Sequence, residues 1–572
     1  AVVTGGCRNT ASGDYAVVTG GFFNTATGNF SIIGSGLSNC TTSTADRSGI
    51  VAGDTNKIFE CAERSIIGAG YKNCVSGNLD GNSGNIGIFA GSQNFADSKN
   101  SFIGAGQLNA LSASLNAAIV GGVSNQSLTA TTSFIGAGCT NILSGSIMSV
   151  IGGGQSNKIA EGDRSFIGSG LCNTIYGDKG AIVAGNNNCV VTGDGFIGSG
   201  NQNYNNGGQS FIGSGDRNCA LSGRSVVVGG SRNIAKACRT FVGSGSANEI
   251  VNKGCFASIV GGEDNLIDSL HSVIGGGLSN TVETSGFGSG SGDGCSVILG
   301  GTLNIVKNQR AGIVGGRENK IYGPLGFIGA GDCNCIAPHA GRAVIGGGLN
   351  NKVDACQGVI AGGSNNTLSA NSGFIGSGSF NTISGVGHFD GFIGSGKRNI
   401  IDGLRSVVGG GAYNKSCGDY TNIIGGSRNL AVGSYSTIGG GKSNTLSSSN
   451  TFIGGGILNV ATGNCSVVVG GKCNTASGGD SFVGGGYQVQ SIGNCSVAVG
   501  GVLNKACGVC SFVGGGFNSC AVGANSVVAG GYVNKACGNC SFVGSGFNSY
   551  ADGGCSVVVG GFVNKASGGN SI

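Results

Sequence analysis

A short apolar run, typically SFIGSG or SVVVGG, returns about every fifteen residues along this chain. With its serine as position 1, the unit reads S-[FVI]-[IV]-[GV]-[GSA]-G-x-x-N-x-[AL]-x-G-x-x. Good copies begin at Ser210, Ser225, Ser466, Ser481, Ser496, Ser511, Ser526, Ser541 and Ser556. Positions 1–5 carry β-branched and aromatic residues and predict a strand. The Asn-x-Ala-x-Gly piece predicts a second, shorter one. Glycine at 6, asparagine at 9 and glycine at 13 tolerate left-handed backbone, so they are the expected corners. Two strands and two corners close one coil. Coils stacked in register predict an all-β parallel β-solenoid (β-roll or β-helix) of ~15-residue coils, rising ~4.8 Å each. Asn9, Asn24, Asn39, Asn203, Asn218 and Asn233 are then expected to stack as an amide ladder. Helix is excluded, because glycine at this density costs up to about 1 kcal/mol per residue in a helix and no 3.6-residue period appears.

The pattern runs through all 572 residues, which predicts one continuous solenoid over 1–572 of roughly 38 coils. The spacing drifts near 44–63, 78–87 and 283–294, and those stretches read as loops inserted at one corner.

Alternation sends positions 1, 3 and 5 to one side of the first strand and 2 and 4 to the other. The first set is small, as a narrow interior requires. The second holds phenylalanine at position 2, including Phe166, Phe196, Phe211, Phe241, Phe482, Phe512 and Phe542. Position 4 is glycine in each of those copies. It is often large where position 2 is valine, as at Val228, Val469 and Val499. Such exchange of volume is what close packing demands. Two readings remain open: this face lies inside the coil, or it is an outer face buried against another chain. A strand apolar on both sides is expected to be covered on both.

Toward the C-terminus, Phe and Val copies alternate: Val467, Val497, Val527 and Val557 interleave with Phe482, Phe512 and Phe542. Lys505, Lys535 and Lys565 recur with the same two-coil, 30-residue super-repeat. A rival geometry makes all thirty residues a single turn.

Composition removes several classes. Glycine numbers 122 and proline 2, without the Gly-X-Y period of collagen. The apolar share is 39% and the net charge only +5, unlike a disordered or nucleic-acid-binding chain. Every apolar run is interrupted within about five residues, far short of the roughly 20 needed to span a membrane as a helix.

The 24 cysteines fall at corners and variable positions rather than in metal-ligand sets. Cys507-Gly-Val-Cys510 and Cys537-Gly-Asn-Cys540 have CxxC spacing, but a thioredoxin-type site needs a helix N-terminus. Stacking gives a better account, since equivalent residues of adjacent coils lie within disulfide range. Cys495/Cys510 and Cys540/Cys555 are equivalent positions; Cys507/Cys520 and Cys238/Cys255 are near-equivalent. Coil-to-coil disulfides, and so an oxidising extracellular setting, are expected. Asn464, Asn494 and Asn539 lie in Asn-Cys-Ser glycosylation signals. His271, His339 and His388 are scattered near irregular connections. With no repeated acidic column, no helix after any G-x-G string and no credible nucleophile elbow, the chain reads as a non-enzyme without cofactor or metal.

The unit resembles the head repeats of trimeric autotransporter adhesins, of the form S-V-A-I-G-x-x-A-x-A-x-G. Ser496-Val-Ala-Val-Gly500 followed by Ala506-Cys-Gly508 carries the likeness. That resemblance implies a left-handed parallel β-roll that trimerises through an apolar face. The chain is also similar to glycine-rich GGGxxNxASG repeats of bacterial and large-virus surface and fibre proteins. The expected function is a structural subunit of a rigid fibre or filament, extracellular or on a cell or virion surface. It would associate with itself through apolar strand faces and through uncapped ends at Ala1 and Ile572. The alternative is an adhesin-type module that binds a host or environmental surface through its inserted loops. Ice binding would want a regular threonine row, and Thr10, Thr25 and Thr382 are sporadic.

Overall fold

A computed structural model describes residues 1–77, 84–284, 294–385 and 390–572. The chain forms two compact units, 1–281 and 282–572. Each is a parallel β-solenoid, about 36 turns in all, and no helix occurs among the described residues. Every turn carries a first strand such as Val17–Val18 or Val467–Val468 and a second such as Thr25–Ala26 or Thr475–Ala476. Each strand pairs in parallel with its counterpart one unit on, as in Val17↔Ile32 and Thr475↔Gln490. Position 7 adds a third contact by single bridges, as in Phe22↔Leu37. Val497 pairs with Phe512, and Phe512 with Val527, so one turn takes fifteen residues and the thirty-residue turn is ruled out.

Positions 1, 3, 9, 11 and 13 face inward. Ile33, Ile67, Ile328 and Val468 at position 3, and Ile175, Ile321 and Ala476 at position 11, are fully buried. Position 5 was expected inside; it lies at the corner instead and is partly exposed, as at Ser35 and Gly470. Space inside is short where glycine holds position 1 after an isoleucine at position 11. A Cβ on Gly180 would sit 2.7 Å from Ile175, and one on Gly326 2.7 Å from Ile321. Where position 11 is alanine, as at Ala461 and Ala476, the following position 1 is serine (Ser466, Ser481).

The corners differ from expectation. Glycine at position 6 is left-handed, with φ 93° at Gly21 and 90° at Gly471. In the fifteen-residue coils the other left-handed residues are at positions 8 and 15 and are not glycine: Phe23 (60°) and Cys473 (58°), Phe30 (56°) and Asp480 (54°); longer coils add another, as at Ala113 and Glu161. Each such residue costs about 1–2 kcal/mol. The offset is visible in the hydrogen bonds. Strand N–H groups reach forward, Val467 N to Ser481 O at 2.9 Å. The left-handed residues turn theirs backward, Cys473 N to Ile457 O and Asp480 N to Asn464 O, both at 2.8 Å. Glycine at position 13 of the fifteen-residue coils, such as Gly463 and Gly478, is not left-handed. It is required because a Cβ on Gly478 would lie 2.0 Å from the Gly493 carbonyl.

Position 9 is not a corner but a buried ladder. Asn429 N donates to Asn414 Oδ1 at 3.0 Å, and Asn444 N donates to Asn429 Oδ1 at 3.0 Å. Asn429 Nδ2 also ties Gly425 O of its own coil to Gly441 O of the next, at 3.0 and 3.1 Å. Asn24, Asn39, Asn203, Asn218 and Asn233 make the same bonds, and Asn9 begins the row.

Longer coils take up their extra residues after the second strand. Residues 44–63 are not one loop: they hold the strands Gly49–Ile50 and Lys57–Ile58, in coils of 17 residues. Sixteen-residue coils lengthen the second strand to three residues, as in Ala110–Ser112 and Ile142–Ser144. The insertions expected near 78–87 and 283–294 fall largely on 78–83 and 285–293, outside the described residues.

Candidate functional site

The first strand presents its position-2 side chain outward, and most coils place an apolar residue there; Gly49, Gly87, Ser258, Gly312, Asn422 and Thr437 interrupt the row. Phe166 is 42% exposed, Phe211 and Phe241 38%, and Phe542 36%. Phe196, Phe482 and Phe512 are half-buried. Parallel pairing brings neighbouring rings together. Phe196 stacks on Phe211 at 5.1 Å between centroids, and Phe374 on Phe392 at 5.4 Å. The volume exchange operates on this outer surface. The Phe166 ring lies 3.3 Å from where a Cβ on Gly168 would stand, and the Val183 carbonyl only 2.4 Å from it. Glycine at position 4 thus clears room both for the ring and for the next coil.

A second aromatic row occupies position 7 of the last coils, where the single bridges run. Phe517, Tyr532, Phe547 and Phe562 stack with centroid separations of 4.8, 5.0 and 4.9 Å. Sequence reasoning missed this row, although an aromatic at every fifteenth residue from Phe517 was there to find. All four rings are exposed.

Stacked rings present their edges to solvent and their faces to each other. Such a surface offers an apolar strip but no flat ring platform.

The cysteines separate into columns. Cys238 and Cys255 share position 14 of adjacent coils; their Cα atoms are 4.9 Å apart and their sulfurs are paired. Cys507 and Cys520 bring their sulfurs to 3.8 Å. Cys495, Cys510, Cys540 and Cys555 all hold position 15, exposed and with free thiols. Partial desolvation against its neighbours, and then the nearby Cys510 thiol, push the exposed Cys495 above the ordinary thiol range. Cys507 therefore faces Cys520 across the coils, while Cys510 of its CxxC string stands at the exposed corner.

Asn464, Asn494 and Asn539 are exposed at position 14. The amide oxygens of Asn494 and Asn539 accept backbone N–H groups of Gly479 and Ala524, both at 3.0 Å. His271 lies 4.9 Å from the Phe256 ring, His339 sits in a corner, and His388 lies outside the described residues. Among the described residues no three His, Cys, Asp or Glu side chains converge as a metal site, and no helix is long and apolar enough to cross a membrane. The sequence matches no protein-family model and no curated protein.

Proposed function

We propose that this chain is a structural subunit of a rigid extracellular or surface-attached fibre, whose copies associate through the apolar outer face of the first strands. The observation that carries this reading is the phenylalanine stripe. Outward rings recur in both units, from Phe102 to Phe241 and from Phe327 to Phe542, among mostly aliphatic neighbours, and monomeric soluble proteins rarely leave extended apolar strips uncovered. Interior and corners are given over to coil closure: serine, isoleucine, asparagine and glycine fill the inside, and left-handed residues make the bends. Cross-coil cysteine pairing at Cys238 and Cys255 fits an oxidising setting.

The partner is a second copy of the chain. A stripe repeated at a fixed rise matches best a surface with the same rise, and another copy supplies it.

The test is sedimentation of the full chain beside a variant carrying Phe482→Thr, Phe512→Thr and Phe542→Thr. Threonine keeps strand preference on an outward position. The expected result is assembly of the parent chain and its weakening in the variant. A parent chain that stays monomeric at high concentration overturns the reading. Unchanged assembly in the variant removes these rings from the interface.

A further inference from the structure

In each coil the residue at position 12 approaches position 10 of the next coil, and the chain fills this contact in different ways. Asp402 meets Lys415 there at 3.3 Å and Asp552 meets Lys565 at 3.2 Å; Lys236 meets Glu249 with the charges reversed. Cys507 and Cys520 occupy the same two positions, sulfur to sulfur at 3.8 Å. Both are half-buried. Cys520 is paired in its strand row between Lys505 and Lys535, so an ammonium-bearing side chain stands on each side.

We propose that Cys507 and Cys520 form a thiol–disulfide exchange site for small disulfides, with Cys507 attacking and Cys520 resolving. The two sulfurs are made unequal by their surroundings. The two thiols share one hydrogen bond, which holds Cys507 below the ordinary thiol range; burial opposes this and Lys505 adds to it. Cys520 is driven well above the ordinary range by the same hydrogen bond and by burial, with Cys537 a further like charge beside it and Lys505 opposing. Near neutral pH, Cys507 is thus the nucleophile and Cys520 the proton-bearing partner.

The chemistry closes on itself. The Cys507 thiolate attacks one sulfur of a disulfide R–S–S–R; the Cys507–S–R bond forms and R–S⁻ leaves, taking up a proton. Cys520 then loses its proton and attacks Cys507 Sγ, the Cys507–Cys520 bond forms, and the second R–S⁻ leaves to become thiol. Two protein thiols are oxidised and one small disulfide is reduced to two thiols. The product bond ties two adjacent coils at a contact that elsewhere holds an ion pair. This site stands independently of whether the chain forms fibres.

The experiment uses the reduced full chain, iodoacetamide at a series of pH values, and peptide mass spectrometry, with oxidised glutathione as the small disulfide. Cys507 is expected to alkylate with a midpoint below the ordinary thiol range, and at pH 7 about tenfold faster than exposed Cys510. Glutathione disulfide should leave a Cys507–Cys520 bond in the parent and a trapped Cys507–glutathione adduct in Cys520→Ser. In Cys507→Ser, Cys520 should stay unmodified. Lys505→Gln should move the Cys507 midpoint upward, an effect a merely structural lysine would not have. The assignment fails if Cys507 reacts no faster than Cys510. It also fails if glutathione collects on Cys520 in Cys507→Ser as readily as on Cys507 in Cys520→Ser.

Discussion

Two stretches of the second unit solve the same packing problem differently. From Asn304 to Asn474 every coil carries asparagine at position 9, and the ladder is unbroken. From Asn474 to Asn564 it is broken at every second coil, by Val489, Ser519 and Ser549. Val489 N–H donates to Asn474 Oδ1 of the coil before at 2.8 Å, but Val489 has no side-chain oxygen to accept from the next coil. Ser519 reaches Asn534 N only at 3.4 Å, and the Ser549 hydroxyl is buried without a partner.

Each coil that lacks the asparagine carries an aromatic residue two places earlier: Tyr487, Phe517 and Phe547. Two of these coils hold Val513/Ala521 and Val543/Ala551 inside, smaller than the pairs Ile375/Ile383 and Ile393/Ile401 found in part of the first stretch. The lesson is that cohesion between coils can reside in amides inside or in rings outside, and the C-terminal coils have shifted part of it outward.

The sharpest way to break this contrast is Asn429→Ala. It strips an acceptor from Asn444 N and a donor from Gly425 and Gly441 carbonyls, so a loss of about 3 kcal/mol is expected at about 1 kcal/mol or more for each orphaned group. Denaturant unfolding, with hydrogen exchange at Asn444 as the local readout, checks it. Next is Ser519→Asn, which restores a missing rung and should stabilise by about 1–2 kcal/mol; no gain would show that the aromatic coils have lost the geometry of the ladder. Phe547→Ala removes two ring stacks and should cost about 1–2 kcal/mol, whereas Lys442→Ala at the same position of the laddered stretch should change unfolding by under about 0.5 kcal/mol.

The smallest effect concerns the alternation of copies. The Ser511 hydroxyl is buried without a partner, while Ser526 Oγ donates to Gly523 O at 2.6 Å. Ser511→Ala is therefore expected to be neutral or stabilising by up to about 1 kcal/mol, and Ser526→Ala to destabilise by about 1 kcal/mol. Paired thermal melts of the two variants read the difference.

The coil was legible because its determinants are local and recur in phase. Strand residues, the position-6 glycine and the Asn9–Asn24–Asn39 spacing all lie within one unit. The left-handed corners were hidden because Arg, Cys, Tyr and Phe sit at positions 8 and 15, residues whose own preference is against that conformation. Only the backward bond, a property of two coils together, makes it tolerable there. Gly478 was visible as a glycine but not with its reason, since the clash it avoids is with Gly493 one coil away. Ring rows at position 2 were expected and those at position 7 were missed. The former sit in the conspicuous apolar run, whereas the latter occupy a position that is polar in most other coils, as at Asn201, Asp216, Ser231 and Arg317.

The backward-pointing N–H groups bear on how such a chain assembles as it is synthesised. Forward donors of a finished coil wait for carbonyls not yet made, but the two left-handed donors of each new coil find theirs already in place. Growth therefore proceeds by latching. An arriving coil fastens itself at two corners before its strands are complete, and contacts only about fifteen residues apart in sequence keep the loop-closure cost of each step small.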